Sequence, residues 1–360
     1  MYIGCTKKLI EYAKIAPIVL LGTEPFFSWS ANMIIINHRR AIVVINDAVR
    51  YGFMLYGITA KTIKNLNSLI SEGIRSCLEA ECVSEEIINQ YMRDCGNITY
   101  GKTTNRSNVA RMNKLCERTY YFAADLNSDF ILQRHLIGRI NNDVFDINGQ
   151  YSSPSDLLYG ELEKHYSTQN IRSCRAAILD VRLDIETVCS RRIAIPINRT
   201  FSQLHRALQC LFNWQDYHLH QFILDVYPDG RTRNVLVGAP PEYESEDEDW
   251  RLDSAVLLSD VFPEKNEIIY NYDFGDDWYH YIKLIDIQSD YDKNYPICLS
   301  AVGDAPPEDV GGTYGYAEFL RILDEPNDPE YEDTKTWAEG MKYRSLDIVE
   351  INRRLRYSAY

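Results

Sequence analysis

Two short stretches of this chain carry most of its reactive side chains. Residues 271–280 read N-Y-D-F-G-D-D-W-Y-H, and residues 305–312 read A-P-P-E-D-V-G-G. The first sets Asp273, Asp276 and Asp277 among Tyr272, Trp278 and His280. The second presents Glu308 and Asp309 between two prolines, which hold extended backbone, and two glycines, which permit a tight turn. Tyr272, Asp273, Asp276, Asp277, Trp278, Glu308 and Asp309 together make a candidate polar pocket. Carboxylates there suit proton transfer or cation binding, and the aromatic rings beside them suit a cationic or aromatic ligand. A third element, His218-Leu-His220, falls on an expected strand, where period two puts both imidazoles on one face. His-x-His is a common way to place two metal ligands. His218, His220, His280 and Asp273 are therefore the candidate metal set, completed by Asp276, Asp277, Glu308 or Asp309. A divalent metal is the one cofactor the sequence suggests.

Each signal has a structural competitor. Phe222 and Leu224 share the face of His218 and His220, so those histidines would equally serve as hydrogen-bonded core residues. Glu308 and Asp309 would equally cap neighbouring amides. In the N-terminal half, Lys7, Lys8, Arg39 and Arg40 form a candidate anion-binding patch, while Asn46-Asp47 after an apolar run reads as a turn. There is no phosphate-binding glycine loop, no G-x-S-x-G and no H-E-x-x-H. No local signature supports a Ser or Cys triad.

Positioning these groups requires two domains, the ordinary partition for 360 residues. The net charge of −14 is uneven. Residues 1–145 hold 17 Lys and Arg against 13 Asp and Glu, leaving 21 against 39 for the rest. Only the first half could meet a phosphate backbone, so nucleic acid is a possible partner through the N-terminal domain alone. Otherwise the partner is an unidentified protein or small molecule. The nine cysteines are scattered without a C-x-x-C pair, which fits free thiols in the cytoplasm. No apolar run is long enough to span a membrane.

Residues 1–145 read as α+β: a strand over 1–5, a helix to 16, a hairpin of 33–36 with 41–45, and helices over 66–82, 84–92, 107–118 and 129–140. Residues 146–173 lose this regularity and read as a linker around a short helical piece. Residues 174–360 read as a second α+β domain, with strands over 177–185 and 192–197, a helix from Thr200 or Ser202 to 212, and strands over 218–227, 267–272 and 278–287. Gly275 marks the bend of the last hairpin. A hairpin, a packed helix and returning strands suggest a β-grasp-like mixed sheet. The acidic run 242–249 reads as a solvated loop.

Residues 177–355 resemble the plasmid pRiA4b ORF-3-like family. The match rests on Arg191-Arg192-Ile193 before Pro196, F-S-Q-L-H-R-A-L over 201–208, Asn213-Trp214, and His218-Leu-His220-Gln-Phe222. It continues through Y-D-F-G-D-D-W-Y-H over 272–280, Pro296-Ile-Cys298, P-P-E-D-V-G-G over 306–312, and Gly315-Tyr316. Ser190 stands where the family usually has Trp, and Ala305 where many members have Cys. The resemblance implies a compact α+β domain with no established activity, and a link to plasmids or transposable elements. Residues 1–145 resemble a bacterial family of unknown function that begins M-x-I-x-C-T-K-K-L, continuing with Ser28-Trp29, Asn32, Asn46-Asp47, Lys102-Thr103 and Asn113. The leading expectation is a non-catalytic binding or regulatory module. The alternative is a metal-dependent hydrolase or nuclease centred on the C-terminal His, Asp and Glu residues.

Overall fold

The structure is a computed structural model and describes residues 1–19, 22–103, 105–147, 149–167, 170–226, 232–239 and 250–358. The chain divides into two compact units, Met1–Cys174 and Arg175–Tyr360.

The first unit runs β1 (Tyr2–Cys5), α1 (Lys7–Ala13), β2 (Ser28–Ile36), β3 (Arg39–Asn46), β4 (Gly52–Tyr56), α2 (Leu66–Ala80), α3 (Glu85–Cys95), β5 (Thr99–Lys102), α4 (Arg106–Thr119), α5 (Ile137–Ile140), β6 (Phe145–Ile147), β7 (Gln150–Ser152) and α6 (Pro154–Tyr166). Its main sheet has the order β4-β3-β2-β1-β5. Strand β1 runs parallel to β2 and β5, and the remaining pairs are antiparallel. The unbroken apolar run of β3 is explained by burial on both faces. Ile42 and Val44 join a core with Ile70, Ile74 and Ile88 of α2 and α3, while Val43 and Ile45 join a second with Met112 and Leu115 of α4.

The second unit runs β8 (Cys174–Leu183), β9 (Ser190–Pro196), α7 (Phe201–Phe212), β10 (His220–Val226), β11 (Thr232–Val237), β12 (Trp250–Leu252), β13 (Glu267–Tyr272), β14 (Trp278–Tyr291), β15 (Ile297–Val302), α8 (Gly312–Asp324), α9 (Tyr331–Gly340) and α10 (Ile348–Ser358). One mixed sheet holds all eight strands in the order β12-β11-β10-β13-β14-β8-β9-β15. Helix α7 starts in a capping box: Thr200 Oγ1 accepts from Gln203 N–H at 3.2 Å, and Gln203 Oε1 accepts from Thr200 N–H at 2.9 Å. Its apolar stripe, Phe201, Leu204, Leu208 and Leu211, packs on Phe222, Tyr270 and Ile282 in a single core. The α+β class is as expected. The sheet is wider than expected, because β11, β12 and β15 extend both edges.

Three expectations need correction, and a fourth is refined. Residues 146–173 are not a free linker, because Leu158 and Leu162 of α6, with Ile171, are buried in the first unit's core. Glu81, itself buried, accepts from Ser155 Oγ at 2.7 Å and Tyr51 Oη at 2.8 Å, pinning α6 to α2. The helix expected over 129–140 shrinks to a short 3-10 turn and α5. The fully buried Gln133 side chain takes the backbone hydrogen bonds there, accepting from Asn127 N–H and donating to Asn127 O. Gly275 lies in the hairpin bend as expected, but the left-handed backbone that a tight hairpin asks of glycine falls on other residues. Asp273 and Asp277 hold φ of 56° and 55°, and Asp273 Oδ1 accepts from Gly275 N–H at 3.0 Å. Strand β10 begins at His220, so His218 lies before it. The acidic run 242–249 lies outside the described residues.

Candidate functional site

The histidines of the second unit separate into an inner and an outer group. His205 of α7 and His220 of β10 form the inner one. Their rings stack face to face, with centroids 3.5 Å apart and planes 7° from parallel. A carboxylate closes each side: His205 Nε2 lies 2.8 Å from Asp216 Oδ1, and His220 Nε2 lies 2.9 Å from Asp253 Oδ2. Behind His205, Nδ1 meets Tyr270 Oη at 2.7 Å, and Tyr270 Oη accepts from Gln209 Nε2 at 3.1 Å. Gln209 Oε1 in turn accepts from Asp216 N–H at 3.0 Å. This circuit fixes one neutral tautomer, in which His205 donates to Asp216 and Tyr270 donates to His205. Burial lowers the His205 pKa, and the neighbouring His220 charge lowers it further, against the opposing pull of Asp216.

The nitrogen and oxygen atoms of His205, Asp216 and His220 are near enough together to suggest a metal site. Ring geometry argues against one. Imidazole lone pairs lie in the ring plane, so two stacked, nearly parallel rings cannot both aim a lone pair at one ion.

The outer group forms where the 271–280 and 305–312 loops meet. His218 Nε2 lies 3.0 Å from Asp309 Oδ1 and 3.6 Å from Asp273 Oδ2. Nε2 is shielded from solvent and has no aligned hydrogen bond despite the nearness of Asp309. Beneath it, Tyr272 Oη donates to the buried Glu308 carboxylate at 2.5 Å and accepts from Tyr217 N–H at 3.0 Å. Burial, followed by that carboxylate, raises the Tyr272 pKa. Glu308 also accepts from Gln215 N–H at 2.9 Å, and Trp214 Nε1 donates to Pro306 O at 2.9 Å. Trp214 stacks on Tyr272 at 5.0 Å. Asp276 Oδ2 accepts from Gly311 N–H at 3.1 Å, which places a carboxylate at the start of α8. Gly312, at φ 66°, leaves room for Asp276 O, which would lie 2.9 Å from a Cβ there.

The sequence-derived pocket is thus partly assembled. Tyr272 and Glu308 touch, and Asp273 and Asp309 converge on His218. Asp276 serves the backbone, Asp277 is exposed in the turn, and Trp278 is buried in the core. The metal set His218, His220, His280 and Asp273 does not converge. Among the described residues the two candidate ligand groups contain His218 or His220, never both, and neither contains His280. His280 is fully buried, with Nδ1 3.1 Å from Trp278 O and its ring edge-on to Phe212 and Trp214. Burial pulls its pKa down to about 3. His205, Asp216 and Asp253 were missed. His205 had a signal: four residues after Phe201 and three before Leu208, it sits on the buried stripe of a helix.

In the first unit Lys7, Lys8, Arg39 and Arg40 are all exposed. Lys7 pairs with Glu11 at 3.7 Å, and the Arg40 guanidinium lies 4.7 Å from the Tyr12 ring centroid. All nine cysteines are free, and burial pushes Cys5 and Cys95 up to about 12, so neither offers a thiolate near neutrality. Among the described residues no helix is long and apolar enough to cross a membrane.

Comparison with known proteins agrees with this division. The model of the family described as plasmid pRiA4b ORF-3-like protein matches residues 175–354, and that of a domain of unknown function, DUF6933, matches residues 2–157. An uncharacterised protein, y4hQ of Sinorhizobium fredii, is 35% identical over 174 residues, covering 46% of this chain and 82% of that protein. A crystal structure of a protein of unknown function from Methanosarcina mazei Go1 is 34% identical, with 49% of this chain and 97% of that chain covered and a TM-score of 0.41. The chain belongs to the plasmid pRiA4b ORF-3-like family through its second unit.

Proposed function

We propose that this member of the plasmid pRiA4b ORF-3-like family is a cytoplasmic, non-catalytic binding protein of plasmid or mobile-element biology. Its second unit takes a protein partner on the sheet face opposite α7. One observation carries the reading. A cross-strand row of Ile223, Ile269 and Tyr281 lines a groove of about 730 Å3 there. Ion pairs flank the row: Asp180 with Arg192 at 2.6 Å, and Glu267 with Lys283 at 2.8 Å. An apolar centre with a satisfied polar rim is the pattern of a protein interface. The inner imidazoles support the same reading, since stacking, carboxylates and core packing already engage them. The test is quantitative co-purification with wild type and with Ile269→Arg. A protein retained by wild type and lost from a variant of unchanged melting temperature supports the reading. Identical profiles for the two overturn it.

His218 favours a second reading. Its Nε2 makes no aligned hydrogen bond and faces two carboxylates at separations compatible with ligands about 2.0–2.4 Å from one ion. A divalent cation there is what the alternative, a metal-dependent hydrolase or nuclease, needs. Elemental analysis after equilibration with zinc and manganese decides the metal requirement. Stoichiometric metal in wild type that is lost in His218→Ala supports a metal site, and no bound metal in wild type removes this reading.

A further inference from the structure

The first unit holds a small cavity of about 60 Å3 whose wall includes Arg50, Arg111 and Lys114. Its remaining lining is mostly apolar, with Ile45, Leu115 and Phe145 among it. Arg111 and Lys114 are three residues apart on α4 and therefore share a helix face. Arg50 comes from the β3–β4 turn, which is held rigidly. Buried Asn46 accepts from Ala48 N–H at 2.9 Å and Val49 N–H at 3.1 Å, and donates from Nδ2 to Phe26 O at 2.8 Å. Arg50 adopts φ 61°, an uncommon conformation for a non-glycine residue, and its guanidinium lies 4.1 Å from the Phe145 ring centroid.

None of the three cations around this small cavity has a carboxylate within ion-pair distance among the described residues. Arg111 donates to the backbone oxygen of Asp47 at 3.3 Å. The one acid lining the cavity, Asp143, pairs with Arg118. Burial lowers the Arg50 pKa, and the nearby Arg111 charge lowers it further. The native fold therefore gathers three cations with only Asp47, whose carboxylate feels the Arg111 charge, and the Arg118-paired Asp143 as nearby acids, an excess of positive charge that an external anion relieves.

We propose that Arg50, Arg111 and Lys114 form a binding site for a phosphate dianion, either free or as the terminal group of a small phosphomonoester. The two guanidiniums offer planar hydrogen-bond forks and the lysine a mobile point charge, a combination suited to phosphate oxygens. The small cavity suits one such group. This site is separate from Lys7, Lys8, Arg39 and Arg40, and it is independent of the partner groove in the second unit.

The test is calorimetric titration of the full chain at low ionic strength with inorganic phosphate, ribose 5-phosphate and a single-stranded oligodeoxynucleotide lacking terminal phosphates. Phosphate or the monoester should bind with a Kd of about 1 mM or tighter. Lys114→Glu and Arg111→Gln should each weaken that binding roughly tenfold or more. Lys114 is exposed on α4, so its variant tests the site without disturbing a core. Phosphate binding as tightly as the monoester assigns the free ion, and a tighter monoester assigns a phosphorylated metabolite. No binding of either, binding unchanged in folded Lys114→Glu, or binding of the oligonucleotide alone overturns the proposal.

Discussion

His218 and His220 stand two residues apart and have opposite situations. His220 is pressed against His205 and tied to Asp253, which is 2% exposed. His218 lies just outside the strand, 28% exposed, facing Asp273 and Asp309 across loop ends. The chemistry of the side chains is the same. The difference is the low-dielectric surroundings of the inner pair, where an unpaired charge is costly, against the partly solvated outer group, where it is not. An inner imidazole is part of what holds the sheet to α7, and the outer one keeps a ring nitrogen without an aligned partner.

The largest effect that tests this contrast is His220→Ala. It strands the buried Asp253 carboxylate and opens a gap beside His205, and should destabilise the second unit by about 3–5 kcal/mol in denaturant titrations. A loss below about 1 kcal/mol would break the distinction between the groups.

Acid titration gives the next effect. His280 is neutral in the fold, with a pKa of about 3 against an ordinary 6.5. Unfolding therefore takes up a proton between these values. Stability from this group is fully present above about pH 6.5 and falls as the pH drops toward 3. At pH 5 the loss relative to pH 7 should be about 2 kcal/mol. His280→Leu should flatten that limb of the stability profile, and an unchanged limb would place the titrating group elsewhere.

The loops that support the outer group offer a glycine contrast. Gly312→Ala forces a side chain into φ 66° and against Asp276 O, and should cost roughly 1–3 kcal/mol. Gly275→Ala, at ordinary φ with Asp273 Oδ1 at 3.3 Å, should cost no more than about 1 kcal/mol. Equal melting curves for the two variants would remove the conformational reason for Gly312.

The smallest effect is expected at the most accessible imidazole of the second unit. His218→Ala should change stability by less than about 1 kcal/mol without added metal. A loss as large as that of His220→Ala would make both histidines structural.

Much of the fold was legible because its signals are local. The apolar run of β3, the Thr200–Gln203 cap, and the 3.6-residue periodicity of α2 and α7 each report an element directly. The expected strands over 267–272 and 278–287 are β13 and β14, with β14 running on to Tyr291. The 129–140 helix failed because periodicity cannot reveal that Gln133 will take over the backbone hydrogen bonds. The 146–173 linker failed because Leu158 and Leu162 find their partners in distant segments.

The sequence by itself determined the two-unit α+β organisation, the family resemblance and the two loops that frame the outer group. Only the tertiary structure decided how the histidines divide. Strand period two would place His218 with His220, but the backbone leaves the strand just before His220, where Tyr272 Oη accepts from Tyr217 N–H. His205 then becomes the partner of His220, fifteen residues earlier in sequence and on α7. Burial and stacking are set by which distant elements meet, and that information is absent from local spacing.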